Sequence, residues 1–269
     1  MSRESIESHK AEFDPEAAVA LLKPFLYDIG EKVLAIQSSG NMAVETKKDF
    51  ADIVTRADTL CEAMLTAHIR AQYPDHRIRG EEGTDVKSES PHEWIIDPID
   101  GTTNFANGME LFSISAGLYE SGEGQMGVMY FPALKKFVYA IKGKGAWVNE
   151  KRAAFQPTKK KLQDSLISVG LKRGTEKLFE PLRARSRNVL AGGSFTAESL
   201  WLIEGKIDAC VYSGATPYDC AAARIIVEEA GGVASGFKDG TINLNDEEIP
   251  IILAKSPDLV RELQEIVKG

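Results

Sequence analysis

The strongest constraint on the fold is a string at residues 94–105, W-I-I-D-P-I-D-G-T-T-N-F, in which an apolar run ends in two aspartates. The run is typical of a buried strand, and Pro98 restricts the backbone between Asp97 and Asp100. Residues 101–104 can then begin a helix, whose free N–H groups and positive dipole end would suit a phosphate. Two rigidly held carboxylates beside such a pocket are ligands that Mg²⁺ prefers. A surface turn capped by an aspartate would explain one Asp-Gly pair, but it does not require two acids and two threonines in this order.

Three further acidic segments are ordinary when each is taken alone. Residues 80–83, G-E-E-G, are most simply a solvated turn. Asp219 is expected to be the N-cap of a helix over 220–230 that ends at a glycine pair; such an aspartate is usually only a cap, although it can also bind a metal. Asp58 is expected in the first turn of another helix, where the dipole favours acids. Spacing alone does not show whether these acids fold back onto the central string.

The pattern along the chain predicts a mixed α/β (α+β) protein with two halves, 1–149 and 150–269. The division falls in the polar and basic segment 150–164. Strand-like runs are expected near 94–97, 112–119, 126–131 and 137–141. Apolar positions at helical spacing predict helices at 14–37, 55–73, 175–186, 196–205, 220–230 and 257–267. In the second half helices alternate with strands, which is typical of α/β layers.

Composition excludes several classes of function. Lys plus Arg number 32 and Asp plus Glu number 40, a net charge of −8, whereas a nucleic-acid binder would normally carry a basic stripe. This balance still permits phosphorylated ligands, because bound divalent cations reverse the sign of a site locally. The odd number of widely spaced cysteines (Cys61, Cys210 and Cys220) disfavours a disulfide framework and favours a reducing compartment. The polar N-terminus and the lack of a long apolar run predict a soluble, cytoplasmic protein with no membrane partner.

Taken in order, the acidic segments closely resemble the inositol monophosphatase family, within the lithium-sensitive, Mg²⁺-dependent phosphatase superfamily that includes fructose-1,6-bisphosphatase. The central string at 94–105 carries most of this resemblance. The other matching strings are D-I-V-T-R-A-D at 52–58, G-E-E at 80–82, P-Y-D-C-A-A at 217–222 and E-E-A-G-G at 228–232. The resemblance covers roughly residues 15–260, and it implies a layered αβαβα sandwich and a homodimer.

The resemblance also implies a set of metal ligands for two to three Mg²⁺ ions. Glu81, Asp97 and the backbone carbonyl of Ile99 would bind the first ion. Asp97, Asp100 and Asp219 would bind a second, with Asp97 as the bridge. A third, weaker ion would lie near Glu81.

Roles in catalysis follow from the same resemblance. Thr102, supported by Asp58, would orient the attacking water, and Glu81 would take part in catalysis as well as metal binding. The phosphate contacts are expected from Gly101, Thr102 and Thr103. Glu82 would support the metal ligands from behind, and Lys47 would lie on a mobile flap.

The substrate is less constrained than the chemistry. Tyr212 stands where inositol-specific members carry a glutamate that reaches a ring hydroxyl; it is either a substrate contact or a strand residue packed in the core. Ser194 and Asp219 are further expected substrate contacts. The leading expectation is inositol 1-phosphate or a related sugar phosphate. Histidinol phosphate, 3′-phosphoadenosine 5′-phosphate and a non-catalytic metal-binding regulatory role stay open.

Overall fold

The computed structural model describes residues 13–47, 53–170 and 176–268. Its helices are α1 (Pro15–Ser39), α2 (Arg56–Gln72), α3 (Thr102–Ala106), α4 (Glu176–Arg185), α5 (Phe195–Ile203), α6 (Pro217–Glu229) and α7 (Pro257–Val267). Its strands in the first half are β1 (Glu45–Thr46), β2 (Ile53–Val54), β3 (Arg77–Gly80), β4 (Asp85–Val86), β5 (His92–Asp100), β6 (Ser113–Glu120), β7 (Glu123–Phe131), β8 (Lys136–Ile141) and β9 (Gly145–Val148). The later strands are β10 (Lys151–Ala153), β11 (Leu166–Val169), β12 (Asn188–Leu190), β13 (Ala209–Ala215), β14 (Val233–Gly236) and β15 (Ile249–Ala254).

The strands form two main sheets in the described part of the chain. The larger has the order β10-β9-β8-β7-β6-β5-β3-β4 and is antiparallel except where β3 runs parallel to β5. The smaller has the order β12-β11-β13-β15-β14, with β11 parallel to both its neighbours and β15 antiparallel to both of its own. A short ribbon, β1-β2, precedes α2.

Helices cover both sheets and give five layers. One core cluster joins α1 and α2 to the larger sheet. A second cluster lies between the sheets and contains α5 and α6. A third lies beneath α4 and α7 on the outer face of the smaller sheet. The layers therefore alternate as αβαβα, which confirms the predicted sandwich.

Local signals set most helix ends close to their predicted positions. Asp14 caps α1 by accepting from the amide N–H groups of Glu16 and Ala17, and Gly40 ends it with φ +67°. The predicted helix at 257–267 matches α7. The apolar run at 94–97 is the middle of a longer strand, because β5 extends from His92 to Asp100.

The expected N-cap role of Asp219 is wrong. The helix begins earlier than expected, at Pro217, because Thr216 is the N-cap and Pro217 suits the first helical position. Asp219 is the third helical residue, and its carboxylate accepts from the Thr216 amide N–H at 2.6 Å in a reciprocal capping box. The carboxylate therefore lies inside the first turn.

The division into halves at 149/150 stays a prediction. The larger sheet runs four residues past that point, since β10 ends at Ala153, and the first strand of the smaller sheet starts at Leu166. The core between the sheets draws on both halves, so the layers pack as one body around α6.

No helix among the described residues has the length and apolar character that a membrane crossing requires. The three cysteines are free and buried, and burial raises the pKa of each thiol. The cytoplasmic location stays a prediction.

Candidate metal and phosphate site

Three aspartates from distant parts of the chain meet at one point. Carboxylate oxygens of Asp97, Asp100 and Asp219 all lie within 4.8 Å of one another. The first two come from the end of β5 and the third from the first turn of α6. Asp97 and Asp100 are buried, and Asp219 is half-buried.

A bulge in β5 makes this meeting possible. Side chains three residues apart on a regular strand point to opposite faces of the sheet. Here Asp97 pairs with Ser115 and Asp100 pairs with Ser113, so three steps along β5 match only two along β6. The extra residue turns both carboxylates to the same face. The prolyl-isoleucyl step between them is therefore what brings the two acids together.

Asp97 has the environment of a metal ligand. It is fully buried, and no N–H or hydroxyl donor among the described residues reaches its carboxylate oxygens; its side-chain contact is with the carboxyl group of Glu81. Burial, with the negative charges of Glu81, Asp100 and Asp219, raises the pKa of Asp97 well above its usual range. A buried carboxylate without a partner is costly. Because the surrounding ligands are all oxygen atoms, this cluster fits a hard cation such as Mg²⁺.

Asp100 is held in place by the start of α5. Its carboxylate accepts from the Ser194 hydroxyl at 2.6 Å, the Phe195 amide at 3.2 Å and the Thr196 amide at 2.6 Å. The Thr196 hydroxyl is a further donor. Burial and the charge of Asp219 raise the pKa of Asp100 to about 6, while the bonds from Ser194 and Thr196 oppose that rise. This clamp fixes the carboxylate of Asp100 before any ion binds.

The loop at residues 80–83 does fold back onto the aspartates. Lys47 Nζ lies 2.6 Å from Glu82 Oε1 and 3.4 Å from Glu81 Oε1. Burial raises the pKa of Glu81 to about 7, against the opposing charge of Lys47 and with a further rise from the charge of Asp219. Burial acts to lower the pKa of Lys47, but the two glutamates outweigh it and the pKa is raised. The solvated-turn alternative for this loop is therefore excluded.

Thr102 and Asp58 form the pair that the sequence predicted. Thr102 Oγ1 lies 3.1 Å from Asp58 Oδ1 and 3.0 Å from the carbonyl oxygen of Ile99. Asp58 lies in the first turn of α2, where its other oxygen accepts from the amide N–H of Thr55 at 2.8 Å. Burial raises the pKa of Asp58, and these bonds oppose the rise.

Gly101 is required where strand becomes helix. Its φ is +90°, and a Cβ atom there would lie 2.8 Å from the carbonyl oxygen of Leu111 and 2.9 Å from Ser194 Cβ. Thr103, which follows Thr102 in α3, is exposed. Thr102 is thus held against Asp58 and the end of β5, and the side chain of Thr103 faces solvent.

Tyr212 and Ser194 have internal partners. The phenol of Tyr212 donates to Glu198 Oε2 at 2.6 Å, its ring lies 4.6 Å from the ring of Phe195, and the side chain is buried. A Cβ atom on Gly170 would lie 2.1 Å from the Tyr212 ring, so only glycine fits there. Ser194 uses its hydroxyl on Asp100. The core-packing interpretation of Tyr212 agrees with this position, and its substrate contact stays a prediction.

Two contributing residues were not predicted from the sequence. Thr196 reaches Asp100 from the start of α5, and no local pattern signals that contact. Glu62 lies four residues after Asp58 on α2, and that spacing places both on one helix face. Its carboxylate accepts from the amide N–H groups of Glu82 and Thr84.

Comparisons with known proteins identify relatives along most of the chain. A model of the inositol monophosphatase family matches residues 18–267. The chain is 38% identical over 201 residues to a "Fructose-1,6-bisphosphatase/inositol-1-monophosphatase" of Thermotoga maritima, which covers 74% of this chain and 77% of that protein. It is 34% identical over 213 residues to a "Nus factor SuhB" of Haemophilus influenzae, which covers 76% of this chain and 79% of that protein.

Solved structures show the same fold. An inositol monophosphatase (IMPase) of Thermotoga maritima superimposes with a TM-score of 0.83 at 32% identity, over 94% of this chain and 98% of that one. An "IMPase/NADP phosphatase complexed with Mg2+ and phosphate" superimposes with a TM-score of 0.85 at 24% identity, over 94% of this chain and 96% of that one. At that lower identity the second likeness shows the fold alone.

Proposed function

This chain belongs to the inositol monophosphatase family, and we propose that it is a Mg²⁺-dependent phosphatase of a small phosphorylated metabolite. The observation that carries the proposal is the Asp97 carboxylate. It is buried, no N–H or hydroxyl donor among the described residues reaches it, and it lies within 4.8 Å of two other aspartates. Such an arrangement is stable only with a cation or with protons among the acids.

We assign the metal ligands from this cluster. Asp97, Asp100 and Asp219 would hold one Mg²⁺, and Asp97 would share a second with Glu81 and the carbonyl oxygen of Ile99. A third, weaker ion would bind near Glu81. When bound, Mg²⁺ supplies positive charge that neutralises the phosphate oxygens and lowers the pKa of a coordinated water.

The protein's own part is to orient the reactants. Thr102 donates a hydrogen bond to Asp58, which leaves a lone pair on Thr102 Oγ1 free to accept a hydrogen bond from a water. That hydrogen bond would fix the direction in which the water attacks. The exposed hydroxyl of Thr103 and the backbone at Gly101 would contact the phosphate. Phosphoryl transfer mainly needs positioning and charge neutralisation, so no protein nucleophile is required. Lys47, on the proposed mobile flap, would move with it and place its positive charge beside the substrate phosphate.

For the substrate, we propose inositol 1-phosphate or a related sugar phosphate. The relatives support this class through their printed names, which include inositol-1-monophosphatase and fructose-1,6-bisphosphatase. Because Tyr212 donates to Glu198 within the protein, a substrate hydroxyl would have to compete for its phenol. Histidinol phosphate and 3′-phosphoadenosine 5′-phosphate are therefore the alternatives to test.

A second candidate function is a role outside catalysis. It is favoured by the relatives called Nus factor SuhB, one of them 34% identical to this chain. The complete acidic cluster favours catalysis, because a purely regulatory homologue would have no need to keep a costly buried carboxylate. We also propose a cytoplasmic homodimer, which light scattering of the purified protein would test.

The test of the proposed function is a phosphate-release panel with the purified chain. It contains the substrates named above with fructose 1,6-bisphosphate and NADP, each in MgCl₂ and in EDTA. We expect Mg²⁺-dependent release from at least one of the sugar phosphates. Asp219→Asn should lower kcat by at least about 10²-fold, since a neutral amide replaces a charged ligand and even outer partners of metal ligands change activity by up to about 100-fold. A matched control is Asp258→Asn, which changes an exposed acid in the first turn of α7. No release from any substrate would leave the regulatory role as the better explanation.

A further inference from the structure

The side chain of Glu62 is buried beneath the loop that carries Glu81 and Glu82. It is 3% exposed and projects from the middle of α2, one turn after Asp58. Glu62 Oε2 accepts from the amide N–H of Glu82 at 2.8 Å. Glu62 Oε1 accepts from the amide N–H of Thr84 at 2.9 Å. Both carboxylate oxygens therefore bind the backbone of one short turn.

The turn is shaped to wrap around this carboxylate. A Cβ atom on Gly80 would lie 2.5 Å from both Glu62 Cδ and Glu62 Oε2, so the backbone comes closer than any other residue would allow. The amide N–H of Gly80 donates to the carbonyl of Thr84 at 2.7 Å, which closes the turn. Gly83 has φ +104°, a conformation that favours glycine. These features hold residues 80–84 in one conformation.

The position of Glu81 depends on that conformation. Its amide N–H donates to the carbonyl of Ile96 at 3.3 Å, one residue before Asp97. Its carboxyl group forms a side-chain hydrogen bond with Asp97 and lies 3.4 Å from Lys47 Nζ, so the side chain belongs to the acidic cluster. The charges of Asp219 and Glu82 act against an ionised Glu81, so Glu81 must be held against that repulsion. Its amide bond to Ile96 holds one side of the turn, and the two amide bonds to Glu62 hold the other side.

We propose that Glu62 is a positioning residue of the metal site, which sets the affinity for Mg²⁺ by anchoring the turn that carries Glu81. The inference rests on the proposed function, because it requires Glu81 to be a ligand. Glu62 itself would touch neither the ion nor the substrate. Outer partners that orient metal ligands typically change metal affinity by about 10- to 100-fold when they are removed.

The test compares Glu62→Gln with Glu229→Gln. A glutamine keeps the shape but presents one acceptor oxygen, and its NH₂ group faces the second backbone N–H. Glu229 offers a matched control because its two oxygens accept from the amides of Gly143 and Gly145 at 2.8 and 2.9 Å. It lies at the opposite end of α6 from Asp219, about 15 Å along the helix axis.

Titration calorimetry of the metal-free full chain with MgCl₂ gives the main readout. We expect E62Q to weaken Mg²⁺ binding by about 10- to 100-fold, with kcat largely recovered at saturating Mg²⁺, and E229Q to bind as the wild type does. Hydrogen exchange should become faster at the amides of Glu82 and Thr84 in E62Q alone. Folded E62Q with wild-type Mg²⁺ affinity would overturn the inference, as would an equal loss in E229Q or a fall in kcat without a change in affinity.

A second variant covers the case in which E62Q does not fold. Gly80→Ala pushes a methyl group into the same carboxylate, so it should weaken Mg²⁺ binding as well. Glu62 keeps its charge in this variant, so only the geometry of the turn is changed. A folded Gly80→Ala variant with wild-type Mg²⁺ affinity would contradict the proposal. A wild-type chain that binds no Mg²⁺ would instead overturn the proposed function and the inference with it.

Discussion

Replacing Asp97 with asparagine should make the metal-free protein more stable and should abolish its response to Mg²⁺. The substitution keeps the shape of the side chain and removes one negative charge. No N–H or hydroxyl donor among the described residues reaches the Asp97 carboxylate, and its contact with Glu81 can be kept by the asparagine NH₂ group, which donates to the Glu81 carboxylate. Its charge is buried beside two other aspartates, and no neighbouring cation among the described residues pairs with it directly.

The distances set the size of the effect. Carboxylate oxygens of Asp97, Asp100 and Asp219 lie within 4.8 Å of one another, and at that distance Coulomb's law with an effective dielectric constant of about 20 gives a repulsion of about 3.5 kcal/mol per pair. Asp97 takes part in two of the three pairs, so its charge costs up to about 7 kcal/mol. This cost cannot exceed the free energy of protonating the carboxylate instead. For an aspartate of ordinary pKa at pH 8, that free energy is about 6 kcal/mol. Water in the cleft reduces both free energies. We therefore expect Asp97→Asn to raise the free energy of unfolding of the metal-free protein by about 3 kcal/mol or more, which corresponds to a rise of about 6 °C or more in Tm.

Calorimetric melts at pH 8 would measure the effect in EDTA and in MgCl₂. At 100 times the Kd, Mg²⁺ should stabilise the wild type by about 2.7 kcal/mol and the Asp97→Asn variant by almost nothing. The difference in Tm between Asp97→Asn and the wild type should therefore become smaller, or change sign, when Mg²⁺ is added.

The control is Asp208→Asn, at a buried aspartate that accepts from Lys160 at 2.6 Å and Lys255 at 2.9 Å. Because that acid is paired, its loss should destabilise the protein in both buffers and leave the Mg²⁺ response intact. A lower Tm for Asp97→Asn than for the wild type in EDTA would contradict the predicted gain in stability, and a full Mg²⁺ response in this variant would contradict the assignment of Asp97 as a ligand.

Three further predictions follow from the same site. Thr102→Ala removes the hydroxyl that joins Asp58 to the water, so kcat should fall by about 10²- to 10⁴-fold with little change in Mg²⁺ affinity; an unchanged kcat would contradict the assignment. Tyr212→Phe leaves Glu198 without its phenol donor and should lower the free energy of unfolding by about 1–3 kcal/mol. If KM rises for inositol 1-phosphate and for no other substrate, the result would support the substrate contact of Tyr212. The pKa of Glu81 is raised from 4.5 to about 7, so its contribution to stability is full below pH 4.5 and is lost as pH rises through 7. Melts in EDTA at pH 5 and pH 8 should therefore show the lower Tm at pH 8. A lower Tm at pH 5 would contradict this prediction.

The fold could be predicted where local chemistry decides it. Helix α1 begins at a capping aspartate and ends at a left-handed glycine, and both signals are visible in the sequence. The start of α6 was predicted three residues late, because Asp219 was assigned the capping role that Thr216 performs. Acids and hydroxyls both suit a helix start, so residue type alone did not separate the cap from the third helical position.

The site could be predicted as a set of residues but not as a geometry. The order of the acids along the chain indicated Asp97, Asp100, Asp219 and Glu81, and the structure brings their side chains together. The bulge that turns Asp97 and Asp100 to one face depends on the pairing of β5 with β6. The internal hydrogen bond of Tyr212 likewise depends on how β13 packs against α5.

Local sequence patterns define the chemistry available to this protein: an oxygen-only set of acids, a strand that runs into a helix start, and threonines beside it. These features are local, because periodicity, capping and turn preferences act over a few residues. Which of these groups meet depends on how distant segments of the chain pack together. Thr196 clamps Asp100 across 96 residues of chain, and Glu62 reaches the Glu82 amide across 20. Such contacts depend on the packing of whole layers against one another, and no local pattern encodes them.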